Sequence, residues 1–485
     1  MALRLEARAV RAAAHDTSSP GAIAIQWARR RATPLACTFV VLVAGMALSF
    51  LWVPLVDHVS GWLAPPDLWQ TFRAAHLVGW GGEADIYQGG TDFLSPPAFP
   101  VLLAPVAMLS GALHLSESFL IMLPHPTAWL LLGPADFLCG SVVFFALDAT
   151  ARRLGVPRAR RVAALWVCAG LSVPLLWLWG HPEDLIALAL ALYALLAAFD
   201  GRWTRAAVLL GLGLAFQPLV VLVAPLVFAR FPWRELPRAL AVAAAPGAAL
   251  LAFPFAHGWH TTWREVVEQP TFPTLGHVTP WLALAPVLQT HRVSVVPVAE
   301  RLFRAPVETT AGGPARLLAI ALAVAIGVVV ARTRPSEHVV VWLAAGCLAL
   351  RCVFESVMFP YYVVPALLVA VLAASAVAPR RLVLAFAATV VCSSYAYVHA
   401  APWAYYLVVS GSLVAACAFG VPRRRVPDSS SRVAEHETLR RVFRQSTRFS
   451  LHDVVVPGWG TTTVARSNGQ PSSRNGRSSR SRSLL

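Results

Sequence analysis

The sequence contains no lysine, and only 13% of its 485 residues are charged. All 40 basic residues are therefore arginines, which against 24 acids give a formal net charge of +16. A soluble chain of this length exposes far more charge, so the composition excludes an ordinary soluble globular protein. The arginines occur in short loops and in the C-terminal region, where membrane orientation explains them, and we expect no nucleic-acid partner.

Paired cysteine spacings and the common nucleotide and nucleophile motifs are also missing. The seven cysteines lie in or beside apolar runs, so we expect packing thiols and neither disulfides nor a zinc site. The absence of GxxxxGK[ST] and GxSxG motifs argues against a cytosolic nucleotide site. His257 and His260 are three residues apart, but no third ligand has a suitable spacing. We therefore expect no metal and no cofactor.

Apolar residues make up 57% of the chain, and the mean hydropathy is +0.62. Runs of about 20 apolar residues recur from Pro34 to Val421, each long enough to cross a hydrocarbon layer of ~30 Å. We predict an all-α fold, a polytopic transmembrane helical bundle whose first helix is retained and not cleaved. The predicted helices are 35–56, 126–148, 162–179, 184–200, 238–256, 314–332, 338–355, 361–379, 382–400 and 403–421.

Arginine-rich loops mark the cytoplasmic side of a membrane protein. Placing all such loops inside gives one consistent threading with both termini in the cytoplasm. The loops are Arg29–Arg31, Arg152–Arg161, Arg202–Arg205, Arg230–Arg238, Arg332–Arg334, Arg380–Arg381 and Arg423–Arg425. Two long loops, 57–125 and 257–313, then face outward. The use of arginine alone and the alanine-rich helices are typical of a GC-rich bacterial genome, so we expect a bacterial plasma membrane.

This threading divides the chain into three regions. Residues 1–34 form a basic cytoplasmic N-terminus, and residues 35–421 form the transmembrane domain. Residues 422–485 form an arginine- and serine-rich cytoplasmic tail that we expect to be disordered. Within the tail, residues 432–449 are compatible with a short basic amphipathic helix on the inner leaflet.

Two apolar stretches do not fit as single crossings. Residues 206–229 have arginine loops on both flanks and break at Gln217-Pro218, so we predict two half-helices that enter and return, or a tight helical pair. Residues 97–113 fit better as an interfacial or re-entrant segment on the outside. The predicted number of helices is therefore ten, with up to twelve allowed.

The first outer loop carries the candidate catalytic carboxylate. Asp67 opens "DLWQTFRAAHLV", in which Leu68, Phe72, Ala75 and His76 share one helical face, so we expect an amphipathic helix that lies on the membrane. The alternative role for Asp67 is the N-cap of this helix. A carboxylate held at a helix N-terminus stays ionised, which suits a general base. Asp57 is the alternate candidate.

Other polar groups belong to the same outer face or interrupt apolar runs, where ionisable residues are costly. These substrate-binding candidates are His76, Glu83, Asp85, Tyr87, Asp136, His181, Glu183, Asp184, Arg351, Glu355, Tyr361 and Tyr362. Structural explanations exist for several of them. Pro182 and the two following acids suit the first turn of a helix, Arg351 and Glu355 are spaced for an ion pair within one helix, and the tyrosines suit a membrane interface.

Three segments resemble a known family. "DLWQTFRAAHLVGWGGEADIYQGGTDFLSPPAFPVLLAPVAML" looks like the first extracytoplasmic loop of the GT-C-fold glycosyltransferases. It is most similar to that of the actinobacterial polyprenyl-phosphomannose-dependent mannosyltransferases. "GHPEDLIALALALYALLAAFDGRWTRAAVLLGLGLAFQPLVVLVAPLV" and "LRCVFESVMFPYYVVP" resemble later segments of the same family. The resemblance covers roughly residues 36–421, and the chain departs from it at Gln217, where a lysine is common.

The resemblance implies a GT-C fold and a membrane enzyme that transfers a sugar from a polyprenyl-phosphate donor, with mannose as the first candidate for the sugar. The acceptor is a hydroxyl of a lipid or glycan on the extracytoplasmic face. Carried over, the general base is Asp67. Arg351 is the cation suited to the leaving phosphate. The half-helices of 206–229 are expected on the opposite side, with a structural or lipid-tail role.

Two other classes of function compete with this one. A transporter or lipid flippase also contains intramembrane polar residues and broken helices. However, the two halves show no internal repeat, and the polar residues favour one face over the midplane. A non-catalytic scaffold of the cell envelope is the second alternative, and substitution of Asp67 distinguishes it from an enzyme.

Overall fold

The computed structural model describes residues 26–52, 55, 62–88, 93–116, 126–271, 277–289, 308–310, 313–398 and 401–422. The alternate base Asp57 and the predicted helix 432–449 lie outside these residues, as does nearly all of the predicted tail. Sixteen helices occur in the described residues: α1 (Ala32–Trp52), α2 (Pro66–Gly79), α3 (Ala98–Ala112), α4 (Trp129–Gly140), α5 (Val142–Arg153), α6 (Arg158–Pro174), α7 (Pro182–Phe199), α8 (Trp203–Phe216), α9 (Ala224–Phe228), α10 (Leu236–His257), α11 (Trp259–Trp263), α12 (Gly313–Thr333), α13 (Glu337–Phe354), α14 (Val364–Val377), α15 (Pro379–Tyr395) and α16 (Pro402–Phe419).

Nine helical segments among the described residues are long and apolar enough to cross a membrane. They confirm an all-α polytopic membrane protein. The nine are Ala32–Trp52, Trp129–Arg153, Arg158–Trp179, Pro182–Phe199, Trp233–His257, Gly313–Thr333, Glu337–Phe354, Pro360–Val377 and Pro402–Phe419. The tenth predicted crossing, 382–400, corresponds to α15, a helix of 17 residues.

The two ends of the bundle differ in chemistry. At one end, which we call the arginine end, the buried carboxylate of Asp148 forms ion pairs with Arg31, Arg152 and Arg161 at 3.7, 2.8 and 2.9 Å. The attraction of these three arginines offsets the cost of removing the carboxylate from water. Two of the predicted arginine loops, Arg29–Arg31 and Arg152–Arg161, therefore meet in space at a shared carboxylate.

The opposite end, which we call the site end, collects the long connections. Beyond α10, π-helical residues Arg264–Glu268 lead to a small antiparallel sheet whose three strands are, in spatial order, Pro270–Thr271, Glu308–Thr310 and Val287–Gln289. A second sheet pairs His277–Val278 with Val357–Met358. The strand bounds are β1 (Pro270–Thr271), β2 (His277–Val278), β3 (Val287–Gln289), β4 (Glu308–Thr310) and β5 (Val357–Met358).

The segment predicted as interfacial or re-entrant, 97–113, forms the single helix α3, which packs along α2. The carbonyl of Leu94, just before α3, accepts a hydrogen bond of 3.3 Å from Gln269. Just after α3, the backbone N–H of Ser116 donates to the Thr127 hydroxyl at 2.7 Å. Both flanks of α3 thus belong to the site end, as expected for a segment that does not cross.

The predicted reversal within 206–229 is observed. α8 ends at Phe216, Gln217 is extended, and the chain continues as 3-10 residues Pro218–Leu222 into α9. Beyond α9, the Arg334 guanidinium donates to the carbonyl of Arg230 at 3.2 Å. This contact returns the chain to the arginine end. We call residues 203–228 the helical hairpin and Gln217–Leu222 its tip.

Candidate functional site

A left-handed glycine brings two remote segments together at the site end. The π-helical residues Leu175–Trp179 end α6, and Gly180 follows with φ +68°. A Cβ atom at Gly180 would lie 2.5 Å from Cβ of Leu68 in α2, closer than packed atoms approach. Glycine therefore allows the turn before α7 to press on the start of α2, and His181 comes to lie beside Asp67.

His181 bridges two carboxylates. Its Nε2 lies 3.1 Å from Oδ2 of Asp67, and its Nδ1 lies 2.7 Å from Oε1 of Glu183. Burial by itself lowers the pKa of His181, but the Glu183 and Asp67 carboxylates outweigh burial and hold this pKa well above its ordinary value. The imidazole is therefore a cation near neutral pH, and both ring nitrogens donate. Its ring stacks on Tyr361 with centroids 4.0 Å apart.

Asp67 lies in the first turn of α2, and Pro65 is the N-cap. The alternative interpretation of Asp67 as the N-cap is therefore wrong, because the helix begins one residue earlier, at Pro66. Its side chain is 35% exposed, whereas that of Glu183 is 3% exposed. Asp67 is thus the partner of His181 that a bound molecule can reach. The predicted helix forms, but Leu68, Phe72 and Ala75 are buried in the protein core together with Trp69 and Ala74. The expectation that this face of α2 lies on the membrane is therefore wrong, because it packs against the bundle.

A second group of charges lies next to the first. The guanidinium of Arg351 lies 3.8 Å above the ring of Tyr362, and its Nη1 is 3.9 Å from Oδ2 of the buried Asp184. Gln217, at the tip of the helical hairpin, lies beside Asp184. Tyr362 meets Tyr361 edge to face at 4.7 Å, so an unbroken series of contacts joins Asp67 to Arg351.

Arg316 was not a sequence candidate. It stands in the first turn of α12 and forms an ion pair with the buried Glu355, and its Nη1 donates to Oε1 of Gln269 at 2.7 Å. The salt bridge of Glu355 is therefore made with α12 and not within its own helix. One sequence signal existed. An arginine at the outer end of an apolar helix is unusual when Arg332 already marks the inner end.

A cavity that is partly open to solvent lies between Gln217, Arg316 and Arg351. Its polar lining is Gln217, Gln269, Arg316, Arg351 and Glu355. Its apolar lining is Pro218, Leu219, Val221, Leu222, Ala319, Ile320 and Phe354. The expectation that the half-helices 206–229 serve only the opposite side is thus wrong, because the tip of the hairpin forms one wall of this cavity.

Asp136 is a further ionisable group near the site. It lies within the membrane-spanning segment Trp129–Arg153 and is fully buried. Neither of its carboxyl oxygens has a hydrogen-bond partner among the described residues. Glu183 and His181 lie within its electrostatic range. An acid within an apolar run is expected to face a cavity, but Asp136 does not line the cavity described above.

The remaining sequence candidates form a separate group around the end of α2. His76 lies nine residues beyond Asp67, about 14 Å along the helix axis, and contacts Phe72. Glu83 and Asp85 share a 3-10 turn, from which Asp85 pairs with His257 at 3.0 Å. Tyr87 donates to the carbonyl of Ser95 at 2.8 Å, and burial, assisted by the charge of Glu265, raises the pKa of Tyr87.

The arrangement combines three chemical capacities. Asp67 offers a carboxylate that is both oriented by an imidazolium and open to solvent. Arg316 and Arg351 offer guanidinium groups on the wall of one cavity, and guanidinium forks match the oxygens of phosphates. The apolar half of that cavity suits hydrocarbon.

Compared with models of known protein families, the chain matches none, and no curated protein matches its sequence significantly.

Proposed function

We propose that this protein is a membrane glycosyltransferase that moves a sugar from a polyprenyl-phosphate donor to a hydroxyl of a glycolipid or glycan. Mannose is the first candidate for this sugar. The reaction takes place on the extracytoplasmic face of a bacterial plasma membrane. The observation that carries the proposal is the amphiphilic cavity, which is lined by two arginines and by apolar side chains. One of these arginines, Arg351, is connected to Asp67 by the series of contacts described above.

The donor occupies the cavity in one orientation. Its phosphate lies between Arg316 and Arg351, whose guanidinium groups form charge-assisted hydrogen bonds with phosphate oxygens. Its isoprenoid chain follows the apolar residues of the hairpin tip and α12, among them Leu222 and Ile320. The sugar, joined to the phosphate, then points toward Tyr361 and His181, which lie between Arg351 and Asp67 in the series of contacts.

Asp67 acts as the general base. As the acceptor oxygen bonds to the anomeric carbon, its proton passes to the Asp67 carboxylate, and the bond from the anomeric carbon to the phosphate oxygen breaks. The phosphate leaves with the bonding electrons, and Arg316 and Arg351 balance its charge. His181 orients Asp67 through the Nε2 hydrogen bond, so the carboxylate oxygen that faces the acceptor is fixed.

The arginine end favours an enzyme over a transporter or flippase. Arg153 of α5 forms a two-pronged ion pair with Glu337 of α13, at 2.8 Å for each contact, and pairs with Asp200 at 3.0 Å. Arg160 of α6 donates to the carbonyl of Ser375 in α14 at 2.8 Å. Alternating access requires helices to separate at each side in turn, and a transporter would have to break these links between helices at this side.

The test uses purified protein in lipid vesicles with a radiolabelled polyprenyl-phosphate mannose and a lipid extract as acceptor. We expect labelled glycolipid from the wild type. Because a general base contributes about 10²–10⁴-fold, Asp67→Asn should lose about 100-fold or more of the rate while donor binding persists.

Asp85→Asn is the matched control, because Asp85 is an exposed carboxylate that is also paired with a histidine but lies in the separate group. It should keep the wild-type rate. Equal rates for Asp67→Asn and the wild type would contradict the enzymatic role of Asp67. Donor that crosses the bilayer without sugar transfer would instead identify a flippase.

A further inference from the structure

The charges around His181 do not balance when its imidazolium is counted as a cation and every carboxyl group is counted as ionised. Three cations, His181, Arg316 and Arg351, stand among five carboxyl groups. The carboxyl groups are those of Asp67, Asp136, Glu183, Asp184 and Glu355. Asp184 and Glu355 each have an arginine, and His181 serves both Asp67 and Glu183. Asp136 has no cation or hydrogen-bond donor of its own among the described residues.

An ionised Asp136 would destabilise the folded protein in this position. A carboxylate removed from water without a partner costs several kcal/mol or more, and such a group takes up a proton instead. Asp136 is fully buried, and α4 packs against α7, which carries the second carboxylate Glu183. Glu183 lies within electrostatic range of Asp136, and two buried carboxyl groups that repel each other are more stable when one of them is protonated.

We propose that Asp136 holds a proton as a neutral carboxylic acid and thereby acts as a positioning residue. Its neutrality leaves Glu183 as the charged member of the buried pair. Glu183 then keeps the imidazolium of His181 in place, and His181 in turn orients the carboxylate of Asp67. The inference rests on the proposed function for the role of Asp67, but its test measures stability and protonation without any turnover.

Titratable groups from four parts of the fold face His181. Asp67 comes from α2, Glu183 and Asp184 from α7, Tyr361 from the turn before α14, and Asp136 from α4. An ionised Asp136 would add a further negative charge that favours the imidazolium. A neutral Asp136 would add none. Replacing Asp136 by the neutral isostere asparagine therefore separates the two states.

The test follows thermal unfolding as a function of pH. Because the pKa of His181 is raised in the folded protein, its contribution to stability is complete below the unfolded value of about 6.5 and is lost as pH rises through the raised pKa. Glu183→Gln removes a direct partner of His181 and should move this loss to lower pH, by about 1–3 pH units. Asp136→Asn should leave the pH of the loss where it is in the wild type.

A shift in Asp136→Asn as large as that in Glu183→Gln would overturn the proposal, since it would show that Asp136 carried a charge. Infrared spectroscopy of the wild type gives an answer even if the variants do not fold. At pH 8 we expect the carbonyl stretch of a protonated carboxyl group, and we expect labelling with ¹³C-aspartate to shift that band. The absence of such a band would equally overturn the proposal.

Discussion

Gly180 allows two segments that are far apart in sequence to form one site. His181, the next residue, bonds to Asp67 across a separation of 114 residues. The approach depends on the left-handed backbone of Gly180 and on the empty space where its side chain would be. Gly155 has almost the same backbone, with φ +66°, but a Cβ atom there would meet nothing within 4 Å. A comparison of alanine variants at the two positions therefore separates the cost of backbone strain from the cost of close contact.

We predict that Gly180→Ala lowers the free energy of unfolding by about 3 kcal/mol, since a left-handed alanine costs about 1–2 kcal/mol and overpacking about 1–3 kcal/mol. Gly155→Ala should cost only the first of these. Chemical denaturation of both variants measures the difference. A second consequence concerns His181, which Gly180→Ala pushes away from Asp67, so that sugar transfer falls as well. Equal costs for the two variants would contradict the close-contact argument.

Single residues of the site were partly predictable. Asp136, His181, Glu183, Asp184 and Arg351 are ionisable groups within or next to apolar runs, and that position alone marks them as candidates. Their partners were not predictable, because ion pairs such as Arg316–Glu355 join different helices and depend on how those helices pack. The grouping of His76, Glu83, Asp85 and Tyr87 away from Asp67 also required the fold.

At the scale of elements, the helical hairpin shows how far a local pattern predicts structure. The Gln217-Pro218 pair predicts a break, because proline cannot continue a helix, and the arginines on both flanks predict a return. The depth of the tip does not follow from the pattern. α8 contains 14 residues and is therefore about 21 Å long, which carries the tip most of the way through a layer of ~30 Å. The tip thus reaches the site.

The hairpin is held in place by a close contact with α12. A Cβ atom at Gly327 of α12 would lie 2.5 Å from Cβ of Pro225 and 2.9 Å from its carbonyl oxygen. We predict that Gly327→Ala destabilises the protein by about 1–3 kcal/mol. It should also weaken donor binding, because α12 and the tip of the hairpin both line the cavity. Vesicle-bound protein with labelled donor measures the second effect.

Gly247→Ala in α10 is the control for this contact, since nothing lies within 4 Å of the added atom. Alanine favours helices over glycine by about 1 kcal/mol, so this variant should be as stable as the wild type or more stable. If Gly327→Ala behaves in the same way, the hairpin does not depend on close packing against α12.

At the scale of the whole molecule, the bundle separates two kinds of charge. The arginine end joins α5, α6, α13 and α14 through side chains such as Arg153 and Arg160. The site end holds carboxylates, tyrosines and the two cavity arginines, Arg316 and Arg351. The sequence predicts this division because orientation is set by arginines in short loops. The convergence of the site into a cavity depends on helix packing, which no loop count describes.

The orientation can be measured with two matched serine-to-cysteine variants. Ser116 is exposed at the site end, and Ser336 is exposed at the arginine end between α12 and α13. The background is low, because six of the seven native cysteines are buried and Cys139 is only partly accessible. In intact cells, a membrane-impermeant maleimide should label Ser116→Cys and leave Ser336→Cys unlabelled until the membrane is permeabilised. The reverse labelling would place the cavity on the cytoplasmic side. An enzyme facing that way would need a donor and an acceptor on the inner leaflet, so the proposed extracytoplasmic reaction depends on this result.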